Sequence, residues 1–228
     1  MLKDNLEKIF NEIDGGNNLN EKITLVGATK FVPIEKINEA VALGLTVVAE
    51  NKVQEFREKT DKIDKRAEQH FIGHLQSNKV KYLVGKVSLI QSVDTLPLAK
   101  EISDFAIKRG VTQNILLEVN IGEEPTKSGF SYGEVKAAVS EISALNGVKI
   151  KGLMAMLPNL PDDTLKAALS KKMRALYDEL NKEGYGFTVL SVGMSADYNI
   201  AIKNGSNMIR LGSILFGQRN NGGNDGTV

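Results

Sequence analysis

The chain has 228 residues, of which 42% are hydrophobic and 25% charged, and its net charge is +1. That is an ordinary globular balance, and it argues against nucleic acid or an acidic membrane surface as a partner. No cysteine is present, which excludes disulfide scaffolds, thiol catalysis and cysteine–zinc sites, and the two histidines, His70 and His74, do not make a His-rich metal centre.

Residues 1–13, "MLKDNLEKIFNEI", place Leu2, Leu6, Ile9, Phe10 and Ile13 on one stripe and predict an amphipathic helix. The segment lacks the apolar centre of a signal peptide, and no stretch approaches the roughly 20 apolar residues of a membrane span, so a cytoplasmic protein is expected. Strand-like apolar runs follow at 23–29, 45–50, 70–73, 87–93, 115–120, 148–156, 187–194 and 207–212. Helical periodicity fills 34–43, 51–65, 75–84, 95–109, 131–145, 161–183 and 197–204. Pro33 precedes the first of these helices, Gly44 and Gly110 follow helix ends, and Ser131 with Glu134 has the spacing of a capping box.

Eight strand runs alternating with helices predict a (β/α)8 TIM barrel. An open doubly wound sheet shares the alternation, and the count of eight favours the barrel. No linker divides the chain, so one domain is expected over 1–219. The polar, glycine-rich end, 220–228, reads as a mobile tail.

In such a barrel the active site forms at the C-terminal ends of the strands. The residues closing the runs are Lys30, Glu50 with Asn51, His74, Asp94, Asn120, the Met154–Met156 pair, Ser195 and Arg210. Closure would make the first and last strands neighbours and turn Lys30 and Arg210 toward one mouth. Lys30 stands in "GATKFVP", among small, apolar and rigid neighbours, where an ordinary surface lysine is the bland alternative. Partial desolvation there would lower its pKa and expose a lone pair able to form a Schiff base with a carbonyl.

The segment 191–217, "SVGMSADYNIAIKNGSNMIRLGSILFG", supplies two donor-rich turns. Ser195 follows the seventh strand, and Gly212 and Ser213 open a short helix after the eighth. Barrels often hold phosphate in these two loops, although glycine and serine are also plain turn formers. Arg210 cannot shed its charge and needs an acceptor, either a carboxylate or a heteroaromatic nitrogen. An imine lysine, a phosphate turn and an acceptor-seeking arginine together suit pyridoxal 5'-phosphate.

The sequence resembles the pyridoxal-phosphate homeostasis protein family, related to the N-terminal barrel of alanine racemase. The motifs that carry the resemblance are "LVGATKFVP", "AENKVQE", "HFIGHLQSNK", "SVDT", "KSGF", "GLMAM", "SVGMSAD" and "IRLGSILFG", in that order across 1–219. "AEN" stands where the family usually has "GEN", and Ser213 where threonine is frequent; both keep the polar group. The resemblance implies a fold-type III barrel that holds pyridoxal phosphate as a Lys30 Schiff base. It implies Asn51 beside the ring, Ser195, Gly212 and Ser213 on the phosphate, and Arg210 facing the pyridine nitrogen. Met154 and Met194 read as packing near the site or as barrel core. The stretch with His74, Gln76, Asn78 and Lys79 matches the family, but its role does not follow from the residues.

The resemblance also implies a role in intracellular vitamin B6 homeostasis and supply without an established catalytic activity. Alanine racemases set a tyrosine from a second domain opposite the lysine, and this chain ends soon after the barrel. A weak racemase-like activity is the rival reading, and a Schiff-base aldolase is a further one that leaves Arg210 unexplained. No catalytic residue and no metal site are assigned. The expected partners are pyridoxal phosphate and pyridoxal-phosphate-dependent apoenzymes, with no nucleic acid or membrane, and the expected state is a monomer.

Overall fold

A computed structural model describes residues 1–159 and 161–217; the expected tail at 220–228 lies outside the described residues. Each of the eight apolar runs forms a parallel strand: β1 (Thr24–Ala28), β2 (Val47–Glu50), β3 (Glu68–Phe71), β4 (Leu89–Val93), β5 (Gln113–Val119), β6 (Val148–Ala155), β7 (Val189–Val192) and β8 (Met208–Leu211). β1 pairs with β2 on one side and with β8 on the other, placing Val26 against both Val47 and Arg210. The sheet therefore closes in sequence order, as the barrel reading predicts, and the open sheet is ruled out.

The strand sequences are apolar on both faces because both faces are buried. Val26, Val47, Ala49, Leu89, Leu116, Met154 and Met208 cluster inside the barrel, so Met154 is core. The outward residues pack beneath the helices in two further clusters, one containing Phe56, Phe71 and Ile102, the other Leu6, Ile37 and Leu45. Burying each such side chain stabilises the fold by roughly 1.5–3 kcal/mol.

Helices α1 (Leu2–Ile13), α2 (Ile34–Ala42), α3 (Val53–Lys59), α4 (Leu96–Lys108), α5 (Val135–Ser143), α6 (Asp163–Lys182), α7 (Tyr198–Lys203) and α8 (Ser213–Phe216) surround the barrel. α1 buries Leu2, Leu6, Ile9 and Ile13, the predicted stripe, and the Asn5 amide donates to the Leu215 carbonyl of α8 at 3.1 Å. Pro33 is the N-cap of α2, with the extended backbone that proline favours.

Three predicted helices differ. The 51–65 segment is α3 followed by a 3₁₀ turn, Thr60–Lys62. The 75–84 segment is a 3₁₀ helix, Ser77–Tyr82, held by i to i+3 bonds such as Lys79 N–H to the Gln76 carbonyl. Its apolar positions are too few for an α-helical stripe, and only Val80 is buried within it. Ser131 and Glu134 do bond one another, but in a turn before α5, where Glu134 is the N-cap residue and makes no side-chain cap bond.

Candidate functional site at the barrel mouth

Lys30 follows β1 in a sharp turn that closes with the Val32 N–H on the Thr29 carbonyl. The turn puts Phe31 at φ +61°, a left-handed conformation that costs free energy for a bulky residue. It is held by tertiary contacts. The Phe31 N–H donates to Glu55 at 2.8 Å, and Lys59 Nζ donates to the Thr29 carbonyl at 2.9 Å and to Glu50 and Glu55 at 2.8 Å each. The Thr29 hydroxyl donates to Glu50 at 2.6 Å. Lys30 itself is half-buried, with Nζ 4.8 Å from the centre of the Phe31 ring.

Its sequence neighbours are uncharged, but its spatial neighbours are not. Burial raises the Glu50 carboxyl above the usual range, against the pull of Lys59 and Thr29. Burial also pushes Glu55 upward, yet Lys59 and the Phe31 N–H outweigh it and the carboxyl lies below its ordinary value.

Arg210 reaches the interior from β8 and is 5% exposed. No carboxylate pairs with it among the described residues. One terminal nitrogen donates to the Ser191 carbonyl at 2.8 Å and the Ser191 hydroxyl at 2.6 Å, and the other to the Ala155 carbonyl at 3.0 Å. Burial brings this guanidinium down to about 10, with Glu118 and Asp197 opposing at longer range. Two of its five N–H groups have no protein acceptor among the described residues, so an incoming acceptor can be accommodated.

The bonds continue inward: Ser191 Oγ donates to Gln91 Oε1 at 2.7 Å, Gln91 Nε2 meets His70 Nδ1 at 3.0 Å, and His70 Nε2 lies 3.7 Å from Glu68. His70 is thus an interior hydrogen-bond partner.

Asn51 is half-buried just beyond β2, and its backbone is pressed against Gly73, where a Cβ would lie 1.9 Å from the Asn51 carbonyl oxygen. Ser195 lies half-buried in a turn after β7 that Asp197 closes by accepting the Met194 N–H at 2.6 Å. Gly193, at φ +108°, lets that turn pack on α7, where a Cβ would come 2.9 Å from the Tyr198 Cα. Ser213 is exposed at the start of α8, and Gly212 is its N-cap. A Cβ on Gly212 would meet only Ala28, at 3.5 Å or more. The protein itself does not require glycine there, and the open space suits the close approach of a phosphate.

Closure therefore sets the ends of β1, β2, β7 and β8 side by side, with Lys30, Asn51, Ser195, Gly212 and Ser213 just beyond those ends and Arg210 within β8. Sequence reasoning missed Glu118, Gln91 and Ser191. Each is a polar residue within an apolar strand run, and that interruption was the available signal. Burial and nearby Asp94 raise Glu118 to about 6, against Arg210 and His74. His74 Nδ1 lies 3.1 Å from Asp94 at the rim. No group of metal-ligating side chains occurs among the described residues, and no described helix is long and apolar enough to cross a membrane.

The family described as alanine racemase, N-terminal domain, matches residues 19–220. A pyridoxal phosphate homeostasis protein of Aquifex aeolicus is 44% identical over 197 residues, 86% of each chain. The chain belongs to the pyridoxal phosphate homeostasis protein family. Among solved structures, PipY of Synechococcus elongatus with pyridoxal phosphate bound gives a TM-score of 0.86 at 29% identity, covering 95% of this chain and all of that one. Alanine racemase of Clostridium difficile gives 0.77 at 18% identity, with 58% of that chain covered, a likeness of fold. The expected family and barrel architecture are borne out.

Proposed function

We propose that this chain binds pyridoxal 5'-phosphate and serves intracellular vitamin B6 homeostasis and supply. The observation that carries the reading is the PipY structure, solved with pyridoxal phosphate and matching 95% of this chain. The site fits the cofactor in three separate places. Lys30 offers an amine at the mouth, Arg210 retains free donors, and Gly212 leaves space beside the Ser195 and Ser213 hydroxyls.

In this reading Lys30 holds the cofactor through an imine, and Asn51 lies beside the ring. Ser195, Gly212 and Ser213 take the phosphate, and Arg210 faces the ring nitrogen. When bound, the cofactor supplies a carbonyl and an electron-withdrawing ring. A fixed cation at the ring nitrogen disfavours its protonation and so limits that withdrawal. This supports a carrier. We take residues 1–219 as one binding domain, acting in the cytoplasm as a monomer and delivering the cofactor to apoenzymes.

One observation favours turnover as a second reading. The His74–Asp94 pair, at 3.1 Å, is a proton-transfer couple on the same rim. Exchange of the α-proton of an amino acid with solvent, lost in His74→Ala, would establish it.

The carrier reading is tested by absorbance spectra of the protein and its Lys30→Ala variant with added pyridoxal phosphate. The expected result is a visible imine band that borohydride fixes to Lys30 and that the variant lacks. Absence of cofactor uptake by the unaltered protein overturns the reading.

A further inference from the structure

Beside the mouth lies a second concavity, about 330 Å³, on the rim between the segments after β2 and β3. Lys52, Arg57, Lys79, His74, Gln76 and Tyr82 line it, and no carboxylate does. It shares Asn51 with the cofactor site and none of Lys30, Ser195, Arg210, Gly212 or Ser213.

The cations here are gathered around one ring. Arg57 stands 4.4 Å from the centre of Tyr82, Lys81 5.2 Å and Lys79 6.0 Å. Across the pocket Lys52 stands 5.1 Å from the centre of Phe31, the residue after Lys30. None of Lys52, Arg57, Lys79 and Lys81 belongs to an ion pair among the described residues. The nearby acids are each held by another group: Glu50 and Glu55 by Lys59, and, against the pocket's own lining, Glu58 by the Gln54 amide at 2.6 Å and Asp94 by His74, while Lys52 acts on Glu55 at longer range. Like charges held together without counter-charge repel, and an aromatic face offsets only part of that repulsion. A concave, amide-lined site with several cations and no acid is built for an anion.

We infer that this pocket is a separate binding site for a small phosphomonoester. The volume lies at the lower end of the range for small-molecule sites, which suits a compact ligand. A phosphomonoester carries close to two negative charges near neutral pH and three acceptor oxygens, whereas a carboxylate carries one charge. Arg57 supplies a planar fork for two of those oxygens, with Lys52 and Lys79 as point charges. This assignment gives a role to the 74–79 motif, which the cofactor site does not absorb, and it stands independently of the carrier reading.

The test is titration calorimetry with phenyl phosphate and with benzoate, at low ionic strength, in the Lys30→Ala background so that no imine is involved. Two further pairs of changes are compared there: Arg57→Ala with Lys79→Ala, and Ser195→Ala with Ser213→Ala. All four cationic and serine side chains lie at the surface or half-buried, and amide NMR spectra verify that each variant is folded. The expected result is binding of phenyl phosphate over benzoate that falls about tenfold or more with the first pair, consistent with lost charge-assisted bonds, and persists with the second. Side-chain amide signals of Gln54 and Gln76 should shift on titration. Binding that survives the first pair, disappears with the second, or is equally strong for benzoate overturns the assignment.

Discussion

Arg210 donates twice to Ser191, to its hydroxyl at 2.6 Å and to its carbonyl at 2.8 Å. Because a guanidinium only donates, the Ser191 hydroxyl must pass its own hydrogen onward to Gln91 Oε1. The Gln91 amide is thereby oriented with Nε2 toward His70 Nδ1, which must accept. The ring proton of His70 then lies on Nε2, toward Glu68. One buried cation thus fixes the polarity of a chain of groups crossing the barrel.

Gln91→Leu leaves the Ser191 hydroxyl hydrogen without an acceptor and His70 Nδ1 without a donor in the interior. A loss of about 2–4 kcal/mol is expected, from unsatisfied buried groups. Urea unfolding gives the magnitude, and ¹⁵N shifts of His70 in the unaltered protein report the Nε2–H tautomer. A variant as stable as the parent would show that the chain contributes nothing to stability.

Lys59 is 15% exposed and bridges Glu50 and Glu55 beneath the Lys30 turn. Lys59→Met strands two largely buried carboxylates, at an expected cost of about 3–5 kcal/mol at neutral pH. The deficit should shrink in acid, where those carboxylates take up protons. Unfolding curves at neutral and acidic pH check both statements; a deficit independent of pH contradicts the electrostatic account.

Glu118 has its carboxyl raised from 4.5 to about 6 in the folded protein. A raised carboxyl binds its proton more tightly when folded, so its contribution favours the folded state below about 4.5 and is lost as pH rises through about 6. The full swing is about 2 kcal/mol. Glu118→Gln should remove this slope. The stability difference between variant and parent, measured across that interval, should move by that amount in favour of the variant as pH rises. A constant difference refutes the assignment.

Gly73→Ala would place a methyl group 1.9 Å from the Asn51 carbonyl oxygen, against backbone that has no easy retreat. The expected loss is about 3 kcal/mol, at the upper end of overpacking costs. Thermal melting gives the stability change and cofactor titration the effect at Asn51. Unchanged values in both would mean that the β2 and β3 ends tolerate separation.

The family motifs were legible in the sequence because several are local devices. In "KSGF", Gly129 at φ +114° brings the chain back so that the Phe130 N–H donates to the Glu118 carbonyl at 2.9 Å. A Cβ there would lie 2.7 Å from the Asn120 nitrogen. Pro33 and Gly44 likewise mark the bounds of α2. The 3₁₀ helix at Ser77–Tyr82 was less legible, since short polar turns share residue types with helix starts.

Strand count, the lysine just after β1 and the polar turns after β7 and β8 followed from the sequence alone, because periodicity and turn chemistry act over a few residues. The partners of those residues did not. Lys30 has uncharged sequence neighbours, yet its turn rests on Lys59, Glu50 and Glu55, brought together by the closing of β2 and α3 around β1. Arg210 meets Ser191 and Ala155, 19 and 55 residues earlier in the chain, and no carboxylate among the described residues. Arg210 reaches them through the pairing of β6, β7 and β8, and the onward bond from Ser191 to Gln91 of β4 crosses an interior that only the closed barrel provides, since register and inward parity are set by the whole sheet. The sequence by itself determined which groups stand at the strand ends; closure decided which of them meet.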